Sequence, residues 1–205
     1  MKAPLCDMLD IEFPLLAFSH CRDVVVAVSM AGGRGGFGAG HLPPDRLREE
    51  LDWIVAHIDG KPFGVDMIVP SSIEGKNEAF DPQQLLDAVP QEHKSFASGL
   101  MDKFDMEAVD LEEQRAESAT FAKNLRAEGA ASSMEVAFSY PIKLIVNALG
   151  VPPQNMLDMA KAHNVYTGAL VGAKEHAVNQ VRAGVDMLIV AGGEAGGHCG
   201  DVSTM

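Results

Sequence analysis

The sequence predicts an α/β fold built on a parallel sheet, either doubly wound or closed as a barrel. Three observations carry this reading. The apolar runs are short and continuous, as in strands buried on both faces rather than strands with one face in water. Amphipathic stretches of helical period lie between them, so strand and helix alternate as in βαβ units. The last apolar run, "DMLIVAGG", opens directly into the glycine-rich "GGEAGGHCGD", and parallel α/β proteins place their sites at the C-terminal ends of strands.

The first strand is read in "FPLLAFS" (13–19), followed by a helix over 22–31 and a weak second strand in "GGFGAG" (35–40). "PPDRLREELDWIVAHID" carries the clearest helix: prolines stand just before it, Asp45 can cap it, and Leu47, Leu51, Ile54, Val55 and Ile58 recur at helical spacing. The third strand is "KPFGVDMIVP" (61–70). There the rhythm breaks, and residues 70–130 read as an inserted loop and helical excursion over the active face. Within it, 70–105 is rich in prolines and charges and holds a short helix near 82–88; a helical pattern returns over roughly 107–128. Loops of this length are uncommon unless they are lids or binding loops. Alternation resumes with helix 132–139, strand "IKLIVNALG" (142–150), helix 153–163, strand "VYTGALVG" (165–172), helix 174–183 and strand "DMLIVAGG" (186–193). Gly184 can stop the helix before the last strand. Residues 1–205 then form one domain that contains the excursion.

Composition narrows the function. Hydrophobic residues make up 47% of the chain, ample for a buried core. Lys and Arg total 16 against 29 Asp and Glu, and the formal net charge of −13 repels a phosphate backbone or an anionic membrane surface. Nucleic acid and membrane are therefore set aside as partners. No apolar run reaches the roughly 18 residues of a membrane span, and the start of the chain has no unbroken apolar core of a leader. Cys6, Cys21 and Cys199 lie far apart without CxxC spacing, which suits a reducing compartment, the cytoplasm, and argues against a zinc knuckle.

Two glycine motifs invite chemistry. "GRGGFG" (33–38) satisfies GxGxxG, but a dinucleotide loop needs a strand before it and a helix opening at its last glycines. Here 22–31 reads as a helix and "AGHLPP" follows, so the motif is better read as tight packing of a helix end onto a short strand. The closing loop is more specific: Gly192, Gly193, Gly196 and Gly197 let the backbone approach a ligand at the end of a buried strand. His198 there can serve as base, hydrogen-bond donor or metal ligand, or merely be tolerated. Glu194, His198 and Asp201 suggest a metal, but no second histidine lies nearby, and no metal is assigned. Cys199 adjoins His198, and adjacent side chains usually diverge, so it reads as a small loop residue. His57, His163 and His176 fall on helices as surface residues, whereas His20 follows the first strand and can face the pocket.

"SMAGGRGGFGAGHLPPDRLREEL", "KPFGVDMIVP" and "GALVGAKEHAVNQVRAGVDMLIVAGGEAGGHCGDVSTM", in that order, resemble the nitronate monooxygenase family, formerly called 2-nitropropane dioxygenases. The resemblance covers nearly the whole chain except 70–130. It implies a TIM (β/α)8-type barrel that binds FMN and oxidises alkyl nitronates with molecular oxygen; related flavin barrels reduce enoyl thioesters with NAD(P)H. It places the family's catalytic histidine on His198 and the backbone that meets the flavin on Gly193, Gly196 and Gly197. Asp66 takes the place often held by an asparagine near the FMN, and a negative charge there would disfavour an anionic reduced flavin. Where the family reads "QAPM" after the first strand, this chain reads "AFSH", putting Ser19 and His20 at a flavin-contacting loop. The glutamine that commonly precedes "EAGGH" is absent from "VAGGEAGGH".

A complete barrel takes about 250 residues and builds its phosphate site from the loops after strands seven and eight. About six βα units are legible here, so the barrel is expected to be incomplete, with two unpaired strand edges. Either the chain is part of a longer protein, or another copy fills the gap in a homo-oligomer. Three readings follow: a nitronate monooxygenase acting on a small molecule and oxygen, a flavin-dependent enoyl-thioester reductase on the same fold, or an inactive truncated barrel.

Overall fold

The computed structural model describes residues 3–69, 88–106, 127–196 and 203. The expected helices near 82–88 and 107–128 fall almost entirely outside these residues, as do Gly197, His198, Cys199 and Asp201. The chain divides into two compact units, one formed by Met1–Ile73 with Asn124–Met205, the other by Glu74–Lys123.

The first unit is a parallel sheet with helices. In chain order it contains α1 (Pro4–Leu9), β1 (Leu16–Ser19), α2 (Arg22–Met30), β2 (Arg34–Gly38), α3 (Pro44–His57) and β3 (Phe63–Met67). After the second unit, whose described helix is α4 (Gln91–Lys103), follow α5 (Ala127–Phe138), β4 (Leu144–Asn147), α6 (Gln154–His163), β5 (Tyr166–Val171), α7 (Lys174–Ala183) and β6 (Met187–Val190). Every strand pairs parallel with the next, in the order β1-β2-β3-β4-β5-β6. A doubly wound sheet reverses its strand order at a switch point; this one does not, so the topology is that of a barrel, here a curled half-barrel of six strands.

The two faces of the sheet differ. Phe37, Val65 and Ile145 are buried on the outer face and join Val25 of α2, Leu47, Leu51 and Ile54 of α3, Met134 of α5 and Met156 of α6 in one core. Each such side chain contributes roughly 1.5–3 kcal/mol by leaving water. Gly35 shows how closely helix and sheet approach: a methyl group there would lie 2.3 Å from the carbonyl oxygen of Val25, so α2 rests on the bare backbone of β2. "GRGGFG" is thus a packing motif, with β2 running through it rather than a helix opening from it.

Several local details depart from the sequence reading. Asp45 does not cap α3: Pro43 is the capping residue, Pro44 the first helical one, and Asp45 sits in the first turn, where its charge suits the helix N-terminus. Gly184 does stop α7, in the left-handed conformation at φ 92°. Helix α5 is already formed at Ala127, the first described residue of its segment, ahead of the expected 132. The short α1 and the 13-residue α4 were not anticipated. Helix α4 buries none of its residues, so its segment lacks the strong apolar period that a core-facing helix needs.

Candidate active site

The inner face of the half-barrel faces a cavity. Strand registers set Phe18, Gly36, Gly64 and Leu144 side by side in one row across β1 to β4. Two large side chains flank two glycines, and Leu144 leans over Gly64, where an added methyl would meet its Cβ at 3.1 Å, so a slot lies over Gly36 alone. A methyl at Gly36 would meet only the Ala17 carbonyl oxygen, at 3.7 Å, so the slot is open there. The next row toward the strand ends holds Gly38, Asp66, Val146 and Gly168. Phe18, Asp66, Leu144, Val146 and Ile189 line the cavity, and its walls are almost wholly apolar.

Asp66 is the acidic group of this cavity. No described residue donates a hydrogen bond to its carboxyl, and burial pushes it up to about 7. The negative charge expected at this position is therefore only partly present near neutral pH, because the apolar surroundings disfavour the carboxylate.

At the rim, two histidines meet. His20 Nδ1 lies 3.0 Å from the Gly38 carbonyl oxygen and donates to it, which leaves Nε2 as the free ring nitrogen. Its ring stands edge-on to Phe18 at 5.0 Å and to His41 at 4.8 Å. Burial, and then the neighbouring His20, lower the pKa of His41. Ser19 points elsewhere: its Oγ accepts from the Cys21 amide at 3.0 Å, tying the end of β1 to the start of α2. Gly193 and Gly196 follow β6 in a short loop closed by the Ala195 amide on the Gly192 carbonyl, 3.0 Å apart. Among the described residues, no heavy atom lies within 4 Å of where a side chain at Gly196 would begin.

Beside the slot, Asn147 clasps two loops. Its Oδ1 accepts from the Val69 amide at 2.9 Å, while Nδ2 donates to the carbonyls of Leu149 at 2.9 Å and Gly150 at 3.2 Å. At the opposite end of the inner face, Arg34 is 1% exposed and donates to the Leu9 carbonyl. Its Nε and Nη1 have no partner among the described residues, and burial pulls its pKa down to about 10. Sequence reasoning did not single out His41, Asn147 or Arg34. His41 had a usable signal, since it follows β2 as His20 follows β1; a buried arginine inside a glycine motif leaves none.

The sequence profile of the nitronate monooxygenase family matches residues 2–205. The chain belongs to this family of oxidoreductases. A Mycobacterium tuberculosis protein named as a monooxygenase is 42% identical over the whole of this chain and 54% of its own length. Among solved structures, FabK from Thermotoga maritima superposes with a TM-score of 0.65 at 23% identity, covering 100% of this chain and 48% of that one. The nitroalkane oxidase of Streptomyces ansochromogenes gives 0.63 at 23% identity, covering 97% of this chain and 51% of that one. The chain thus spans about half the length of the curated relatives it matches. The two solved structures support the barrel fold.

Proposed function

We propose that this chain carries the flavin-facing part of an FMN-dependent nitronate monooxygenase that oxidises alkyl nitronates with molecular oxygen. The observation that carries the reading is the apolar opening over Gly36 beside Asp66, in a chain of this family. Apolar walls and the bare backbone of Gly36 suit the edge of a flat ring, and no described residue crowds Gly196. The bound FMN would supply the electron acceptor that oxygen regenerates.

In this reading Gly193, Gly196 and Gly197 present backbone to the flavin, Ser19 sits at the neighbouring loop, and Asp66 meets the ring edge from β3. His198 takes or steers the proton at the carbon bearing the nitro group, or hydrogen-bonds the anion that develops there. Apolar walls exclude water and hold substrate against the ring, and the family chemistry implies a small molecule and oxygen as partners. The wide spacing of Cys6, Cys21 and Cys199, without CxxC, is in keeping with a reducing, cytoplasmic setting. No helix among the described residues is long and apolar enough to cross a membrane.

The deciding experiment is the visible spectrum of the purified chain, with any released cofactor identified and counted. About one FMN per chain supports the reading, and a colourless chain contradicts it. With flavin bound, anaerobic reduction by an alkyl nitronate distinguishes the monooxygenase from a reductase, which NAD(P)H would reduce instead. His198→Asn should abolish most turnover and retain the flavin; full turnover would remove His198 from the mechanism.

A further inference from the structure

Asp66 occupies an unusual position for an acid. It stands on the inner face of β3, in register with Gly38 on one side and Val146 on the other, so neither neighbouring strand offers it a donor. The described groups that could compensate a charge are directed elsewhere. Arg34 lies on the same face four residues before Gly38, roughly 13 Å along the strand, and turns to the Leu9 carbonyl. His20 is held on the Gly38 carbonyl, and His41 packs against His20. From β4 and β6 the lining is Leu144, Val146 and Ile189, with no charged group. A carboxylate here has neither cation nor hydrogen-bond donor among the described residues, whereas a carboxylic acid has one proton to give and an open slot to give it into.

We propose that Asp66 serves the slot as a neutral carboxylic acid, donating its O–H to a carbonyl or ring-nitrogen acceptor on the edge of the bound flavin, so that flavin binding is linked to this proton. The proposal rests on the flavin reading above and assigns Asp66 the donor role that an amide would otherwise fill. The upward shift of its pKa by burial alone, with no charged neighbour contributing, agrees with this geometry. The site then selects an acceptor-bearing planar ligand.

The test compares the wild-type chain with Asp66→Asn, which keeps size and neutrality and so should fold. Infrared difference spectra between the two, recorded without ligand from pH 5.5 to 8.5, should show a protonated-carboxyl C=O band belonging to wild type that fades as pH rises through about 7. Absence of that band throughout overturns the proposal. FMN titrations over the same range should give a ratio of wild-type to Asp66→Asn affinity that is flat below this value and falls about tenfold per pH unit above it. The ionisation of the FMN phosphate cancels in this ratio. Superimposable FMN profiles also overturn it. If neither protein takes up FMN at any pH, the flavin reading fails and the assigned donor role fails with it; a carboxyl band seen alone would then show a neutral Asp66 without that role.

Discussion

The imidazole of His20 lies over the backbone of Gly38, its Nδ1 3.0 Å from the Gly38 carbonyl oxygen and 2.6 Å from where a methyl group at Gly38 would sit. The same methyl would come within 2.7 Å of the Phe18 ring. One missing side chain therefore lets the loop after β1 fold across the end of β2. Gly38→Ala should displace both rings and cost about 1–3 kcal/mol, the usual range for overpacking. Urea denaturation measures this, and an unshifted midpoint would show that the rings yield freely.

Gly35→Ala should be more damaging. The atom it would meet, the Val25 carbonyl oxygen at 2.3 Å, belongs to helix backbone and cannot swing aside as a flexible side chain can. We expect a loss at or above the upper end of that ~1–3 kcal/mol range, or failure to fold, seen as lost solubility and helical circular dichroism. Near wild-type stability would mean that α2 does not rest on β2 as described.

Asp66 makes stability fall with rising pH. Its folded pKa, about 7, exceeds the ordinary 3.8, so between those values the folded state holds a proton that the unfolded state has released. The stabilisation from this proton is fully present below 3.8, is lost as pH rises to about 7, and is constant above. Asp66→Asn should remove this slope, becoming more stable than wild type at pH 8 and gaining less or nothing at pH 4. Parallel stability curves for the two proteins would contradict the burial of this carboxyl.

Asn147 should be intolerant of apolar replacement. Asn147→Leu leaves the buried Val69 amide without this partner, and a buried group left unpaired costs about 1–3 kcal/mol. Asn147→Asp keeps the acceptor for Val69 but loses both donors. Hydrogen exchange at the Val69 amide separates the two variants: fast exchange is expected in Leu and protection in Asp. Equal protection in both would dismiss the clasp.

Arg34 predicts the opposite sign. Its guanidinium is buried with Nε and Nη1 unpaired among the described residues, so an apolar side chain of similar volume relieves a desolvation cost. Arg34→Met should be neutral or stabilising by about 1–4 kcal/mol, read from the urea midpoint. Clear destabilisation would reveal a partner for those nitrogens.

Much of the fold was legible because burial writes a period into each segment. The runs at 142–150, 165–172 and 186–193 contain β4, β5 and β6, and the apolar spacing of Leu47, Leu51 and Ile54 marked α3. Helix α4 was missed for the converse reason, since a helix that buries no residue carries no strong apolar period. The closing glycines and Asp66 were named as site residues from the family resemblance, and the structure places Asp66, Gly193 and Gly196 at the C-terminal ends of strands, while Ser19 Oγ is engaged by the Cys21 amide.

By itself, then, the sequence determined the alternation of strand and helix, the parallel sheet and the resemblance to a flavin barrel, all of which depend on neighbours within a few residues or on a linear order of motifs. Tertiary structure alone decided between a doubly wound sheet and a barrel, because strand order is a property of pairings between distant segments. It also decided the charge of Asp66. Protonation depends on the medium around the carboxyl, and that medium is built by Phe18, Leu144, Val146 and Ile189, which only folding brings together.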